Sequence, residues 1–372
     1  MDQYVELSTI GSGASSVVKL AKRKQDGCYV VLKVYHLPIS QYSYEEKERL
    51  EKENAILSSL SHPNIIKYID SFVHEGHRVL VMEYANALSL RNVMLYYMGD
   101  AQYIDYLKDT DRVIAITLLL SWINAILDGL QYIHDLHIIH RDLKPENILL
   151  SSSDQEPLSK EQLRRVYSPT QVMKLKVKIA DFGIARETTG EFAVTQVGTP
   201  FYIAPEICGN RVYTNKVDMW SLGCILFELI AKHPPFHGSS IGGLFHSIIY
   251  TPTPPLPSSC PSPFVRIVQS LLRKDPAQRP SARELKATLQ ALFQAASPPP
   301  FIRVSGRRYS VAALSPRSPT LSLSDDESVS SARSSVSGTG SLRCRKYTPS
   351  PSPHPLVDSS DSDQSGELYS LL

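Results

Sequence analysis

A chain of 372 residues that is 42% hydrophobic and 20% charged has the composition of a soluble globular protein, with room for one large domain and a tail. A net charge of +2 excludes bulk electrostatic capture of nucleic acid or a membrane surface as its main activity. The cysteines (Cys28, Cys208, Cys224, Cys260, Cys344) form no C-x-x-C pair, the start MDQYVELSTIGSG is too polar for a signal peptide, and no long apolar run follows. The expectation is a cytoplasmic or nuclear protein with reduced thiols, no membrane span and no nucleic-acid partner.

In chain order, residues 4–10 and 17–21 are short and β-branched, which predicts two strands. The small residues Gly11, Ser12, Gly13, Ala14, Ser15 and Ser16 separate them, as an ordinary hairpin turn or as a phosphate cradle. Residues 29–35 alternate as a strand carrying Lys33, a residue type that usually faces solvent. Helical spacing covers 43–61, with Leu50, Ile56, Leu57 and Leu60 on one face, and residues 79–85 read as a buried strand. A long amphipathic helix is predicted over about 114–136. Residues 151–172 show no strong periodicity and read as a surface loop, inert or modestly regulatory. After about Gln294 the chain turns to Ser, Pro and Arg, so 297–372 is expected to be a disordered tail.

The stretch Ile139-His140-Arg141-Asp142-Leu143-Lys144-Pro145-Glu146-Asn147 resembles the H-R-D-L-x-x-x-N catalytic loop of eukaryotic protein kinases. Asp181-Phe182-Gly183 resembles their D-F-G, Asp218 to Gly223 their D-x-W-S-x-G helix start, and Gly11 to Val18 their glycine loop. Gly198-Thr199-Pro200-Phe201-Tyr202-Ile203-Ala204-Pro205-Glu206 resembles the serine/threonine branch, and His233-Pro234-Pro235-Phe236 is similar to NIMA-related kinases. The resemblance spans residues 4–292 and implies an α+β bilobal protein kinase fold. Its small lobe (about 4–84) would be an antiparallel sheet with one helix, and its larger lobe (about 85–292) mainly helical, with 151–172 inserted.

The resemblance also implies roles. ATP would meet Ile10, Gly11, Ser12, Gly13, Ala14, Ser15, Ser16, Val18 and Val31, with Met82 behind adenine and the Glu83 and Ala85 backbones at its edge. Lys33, paired to Glu53, would hold its phosphates, and Asn147 and Asp181 would hold Mg2+. Asp142 would be the catalytic base, with Lys144 and Thr199 beside it. His140, Phe182, Leu57 and Tyr68 would stack between the lobes, Asp218 would brace the loop, and Arg279 would pair with Glu206. Arg141 would meet a phosphate on Thr188, Thr189 or, preferentially, Thr195, placed there by an upstream kinase.

Three departures stand out: Ser16 replaces the third glycine, Val31 the usual alanine, and Ala87-Leu88-Ser89 the usual glycine pair and acidic residue after the hinge. Ser16 and Val31 are the encouragement for the rival reading, a pseudokinase scaffold, but neither removes a charged catalytic group. Substrates would be proteins with Ser or Thr, and Glu146 with Glu228 implies a mild preference for basic residues upstream of the target. Ser310, Ser324 and the Ser-Pro sites of the tail would be targets of other kinases.

Overall fold

β-Branched and aromatic residues draw the N-terminal segment into β1 (Tyr4–Ser12), β2 (Ser16–Arg23) and β3 (Tyr29–Pro38). These join β4 (Tyr68–His74) and β5 (His77–Glu83) in one antiparallel sheet ordered β1-β2-β3-β5-β4. One face buries Tyr4, Ala21, Val30, Leu32, Val79 and Val81, with Tyr4 stacked on Phe72 at 5.8 Å. Helix α1 (Tyr44–Ser59) starts at a capping box, in which Ser43 Oγ accepts from the Glu46 amide and Glu46 Oε2 from the Ser43 amide. The computed structural model describes residues 1–99, 110–154, 156–182 and 200–296. The expected tail, and with it Ser310 and Ser324, lies outside the described residues, as do Thr188, Thr189, Thr195 and Thr199.

The larger lobe is built on two buried helices. Helix α2 (Leu90–Gly99) follows the hinge, and α3 (Thr110–Asp135) buries Ile123, Ile126, Leu127, Leu130 and Ile133. The hairpin β6 (Ile148–Ser151) and β7 (Lys176–Ile179) lies on α3. Contrary to the surface-loop expectation, the segment between these strands folds into α4 (Lys160–Val166) and α5 (Pro169–Val172). Ser159 and Gln162 form a second capping box, and Leu163, Tyr167, Val172 and Leu175 enter the core. Their burial, more than any helical period, gives this segment its structure.

After α6 (Pro205–Cys208) comes α7 (Lys216–Ala231), apolar on nearly every side and buried from Val217 to Glu228. Helix α8 (Ile241–Tyr250) packs on α6, α9 (Ser262–Leu271) on α7, and α10 (Ala282–Ala296) on α3. Gly223 permits the close approach of α9, since a Cβ there would stand 2.8 Å from Leu271 Cβ. Arg279 donates from both Nη atoms to the Glu206 carboxylate at 2.7 Å, a buried bidentate pair as the kinase resemblance implies. Among the described residues no helix is long and apolar enough to cross a membrane.

Candidate active site

Asn147 immediately precedes β6 and Asp181 follows β7 after one residue, so a single hairpin fixes both. The Ala180 amide donates to the Asn147 carbonyl at 2.8 Å and locks the two ends together. The insertion grows from the opposite, turn end of the hairpin, which lets it lengthen without moving the site.

The loop between α3 and β6 is held from below by Asp218. Its carboxylate accepts from the His140 and Arg141 amides at 2.9 Å each and from His134 Nε2 at 2.8 Å. Burial alone would raise the Asp218 carboxyl, but His134 and the loop amide reverse that and hold it below the usual carboxylate range. These bonds sustain Arg141 in the left-handed region at φ 69°, a conformation costing about 1–2 kcal/mol for such a residue. His140 is wholly buried; its Nε2 donates to the Ala180 carbonyl at 3.0 Å and its Nδ1 accepts from the Asp142 amide at 3.3 Å. Its ring meets Phe182 at 4.9 Å, Leu57 packs on the same core, and Tyr68 lies opposite Met82 in the β4–β5 ladder. Asp142 Oδ2 accepts from Lys144 Nζ at 2.9 Å and Asn147 Nδ2 at 3.1 Å, and Asn147 Nδ2 also donates to the Asp142 carbonyl at 2.8 Å.

One expected pairing is corrected. Lys33 Nζ donates to Asp181 Oδ1, whereas Glu53 Oε2 accepts from Arg78 Nη1 at 3.2 Å. Arg78, at the start of β5, also reaches Asn54 Oδ1 and the Leu50 carbonyl, so it grips α1 on three atoms. Glu53 and Arg78 are both buried, and the planar guanidinium matches this set of acceptors better than an ammonium would. Lys33 and Arg78 lie over the ring of Tyr35, at 5.8 and 5.1 Å from its centroid. Burial works to lower the Lys33 ammonium, but the Asp181 charge, with Tyr35 and Glu53, raises it overall. Asp181 is likewise lowered by Lys33 against the opposing effect of desolvation.

The hinge holds several features that sequence reasoning missed. The Glu83 side chain, expected to matter little, accepts from Lys178 Nζ on both oxygens (2.8 and 2.9 Å) and from the Lys67 amide, clamping β5 to β7. The Glu83 amide donates to the Lys67 carbonyl at 2.9 Å, so its own carbonyl is the group it can offer an adenine edge. Next to Ala85, buried Asn86 donates to Ser152 Oγ and the Glu156 carbonyl and accepts from the Ser152 amide, while Tyr167 OH donates to the Ala87 carbonyl at 2.8 Å. The insertion is therefore tied to the hinge. Leu88 takes φ 63° where kinases usually place glycine. Ser89 caps α2, its Oγ donating to Asn92 Oδ1 at 2.6 Å and accepting from the Asn92 amide at 3.4 Å.

On the roof of the cleft, Gly11 faces Val18 in the β1–β2 ladder, and Gly13 closes the turn by donating to the Ser16 carbonyl at 2.9 Å. Ile10, Ser12, Ala14 and Ser15 are exposed around it, and His36 Nε2 braces it by donating to the Gly13 carbonyl at 3.1 Å. Ser16 is buried in the ladder opposite Tyr35, so the third-glycine position is filled by sheet structure here. Val31 and Met82 face each other across β3 and β5. The donors suit magnesium: the Asn147 amide nitrogen is committed to Asp142, which turns its oxygen away from that residue, and Asp181 adds a half-exposed carboxylate. Two hard oxygens, with the remainder from phosphate and water, is the magnesium preference.

The protein kinase domain family matches residues 4–289. Probable serine/threonine-protein kinase nek3 of Dictyostelium discoideum is 35% identical over 292 residues, which cover 77% of this chain and 23% of the relative. Human serine/threonine-protein kinase Nek5 is 33% identical over 287 residues, 77% of this chain and 36% of its own length. Serine/threonine-protein kinase ATG1a of Arabidopsis thaliana is 36% identical over 281 residues, 74% of this chain and 39% of the relative. The chain thus spans well under half the length of these relatives. With the kinase domain matched from Tyr4 to Leu289, the chain belongs to the eukaryotic protein serine/threonine kinase family and resembles its NIMA-related members.

Proposed function

We propose that the chain transfers the γ-phosphoryl group of ATP to Ser or Thr hydroxyls of protein substrates. The substrate oxygen attacks the γ-phosphorus, the bond to the bridging oxygen breaks, ADP leaves, and Asp142 takes the hydroxyl proton. The observation that carries this is the aim of Asp142: Lys144 and Asn147 fix its carboxylate, and Asp218 fixes the loop beneath it. Lys144 supplies positive charge beside the transferring group, and Lys33 is the candidate clamp for the other phosphates. Magnesium held by Asp181 and the Asn147 oxygen would neutralise phosphate charge. Ile10, Val18, Val31 and Met82 would bound the base, with Glu83 and Ala85 presenting backbone groups to its edge.

Control by phosphorylation of Thr188, Thr189 or Thr195, read by Arg141, is part of the same reading, with Thr199 beside Asp142 and Lys144. A pseudokinase scaffold is the second reading, favoured by one observation: Glu53 is held by Arg78 and not by Lys33. The test is ATP-dependent phosphorylation of the chain itself and of a generic protein, with Asp142→Asn and Lys33→Met as controls. Transfer abolished in both variants, with phosphate mapped to Thr195 by mass spectrometry, is the expected result. A thermal shift with Mg-ATP but no transfer, even after treatment with an activating kinase, would favour the scaffold.

A further inference from the structure

Arg91, in the first turn of α2, joins four parts of the larger lobe through one guanidinium. Its Nε donates to Glu146 Oε1 at 2.8 Å, its Nη1 to Glu228 Oε1 at 2.7 Å, and its Nη2 to the Tyr202 hydroxyl. Tyr202 in turn donates to Glu228 Oε2, so each guanidinium nitrogen and both Glu228 oxygens are engaged. Glu228 and Tyr202 are buried, whereas the Glu146 side chain is 46% exposed. Glu146 lies in the turn that carries Lys144 and Asn147, on the flank where a peptide must pass to bring its hydroxyl to Asp142.

The mild basic preference expected from Glu146 and Glu228 presumes open carboxylates. Here they already hold an arginine from the chain itself, and a peptide guanidinium seeking either would meet a like charge. Resting on the reading of Asp142 as the phosphoryl-transfer base, we propose that Arg91 is a built-in occupant of the basic-residue subsite. The enzyme therefore selects substrates that lack arginine next to the acceptor. Specificity would come from an internal repulsive element, with Arg91 as its determinant.

The test uses the full chain and a positional-scanning Ser peptide library in which Arg or Ala is fixed in turn at every flanking position. Each preference is read as a ratio of rates within one enzyme. The wild type is expected to favour Arg over Ala at no upstream position, and Arg91→Met to gain about tenfold for Arg at one or two of them, through KM more than kcat. Adding Glu146→Gln to Arg91→Met should erase that gain. Clear selection for upstream Arg by the wild type overturns the proposal, and needs no variant to fold. An unchanged profile in a folded Arg91→Met protein, or in Arg91→Lys if the methionine variant is unstable, also overturns it. No transfer to any peptide would instead remove the kinase reading beneath it.

Discussion

A single buried imidazole couples the catalytic loop to solvent pH. His140 must stay neutral, because its Nδ1 accepts from the Asp142 amide while its Nε2 donates to Ala180. Burial is the main cause of its lowered pKa, outweighing the attraction of Asp218 and its neighbours. The sign follows from linkage. As pH falls through about 6.5 the unfolded imidazole binds a proton that the folded one refuses, so stability declines by up to about 1.4 kcal/mol per pH unit. Above about pH 8 the group contributes almost nothing to the slope. His62 is lowered for the same reason of burial and adds to the trend. Urea denaturation at pH 7.5, 6.5 and 5.5 should show the decline, and His140→Phe should flatten it by one proton's worth. An equal slope in both proteins would place the titration elsewhere.

At the scale of elements, the helical insertion is a brace for the hinge. Tyr167→Phe removes the donor to the Ala87 carbonyl without changing the packed ring, and should cost about 1–2 kcal/mol. Because the freed carbonyl belongs to the hinge, KM for ATP should rise while KM for a protein substrate holds; steady-state kinetics with each substrate varied would show it. Parallel changes in both would mean the insertion supports only global stability. Ser159 and Gln162 were visible as a capping box in the sequence, and that signal alone could have placed α4. What concealed the rest was chemistry without periodicity. Leu163, Tyr167, Val172 and Leu175 are buried by neighbours distant in sequence, and the hinge bonds depend on Asn86, an unremarkable residue until Ser152 arrives beside it. Strands β1, β2, β3 and β5 and helix α1 were legible to within a few residues, since alternation and helical spacing are local properties, whereas β4 was not read as a strand.

Across the whole molecule, four charges set how the small lobe addresses the cleft. Glu53 has two cations within its neighbourhood, and the resemblance implies Lys33 where the structure pairs it with Arg78 at the start of β5. Lys33–Asp181 and Arg78–Glu53 form one arrangement, and Lys33–Glu53 would form another in which Asp181 is released to a metal. Arg78→Met should lower the melting temperature, since Arg78 is buried and grips α1. The loss should fall short of the roughly 3–5 kcal/mol typical of a broken buried pair, because Glu53 can turn to Lys33. Mg-ATP should then stabilise the variant by more degrees than it does the wild type. An equal or smaller ligand shift, measured by scanning fluorimetry, would count against the exchange. Asp142, Asn147 and Asp181 could be picked out because the H-R-D-L-x-x-x-N and D-F-G resemblances fix their places along the chain, and the structure sets Asn147 and Asp181 at the open end of one hairpin.

In the proposed reading Val31 and Met82, which pair across neighbouring strands, would close the back of the nucleotide pocket. That closure can be turned into a label. Trimming Met82 to glycine would open a slot beside a valine wall that most kinases lack. An ATP analogue with a bulky group on its exocyclic amine would then fit this enzyme and be refused by the rest of a cell extract. A tagged γ-phosphate carried on it would mark the direct targets of this one chain.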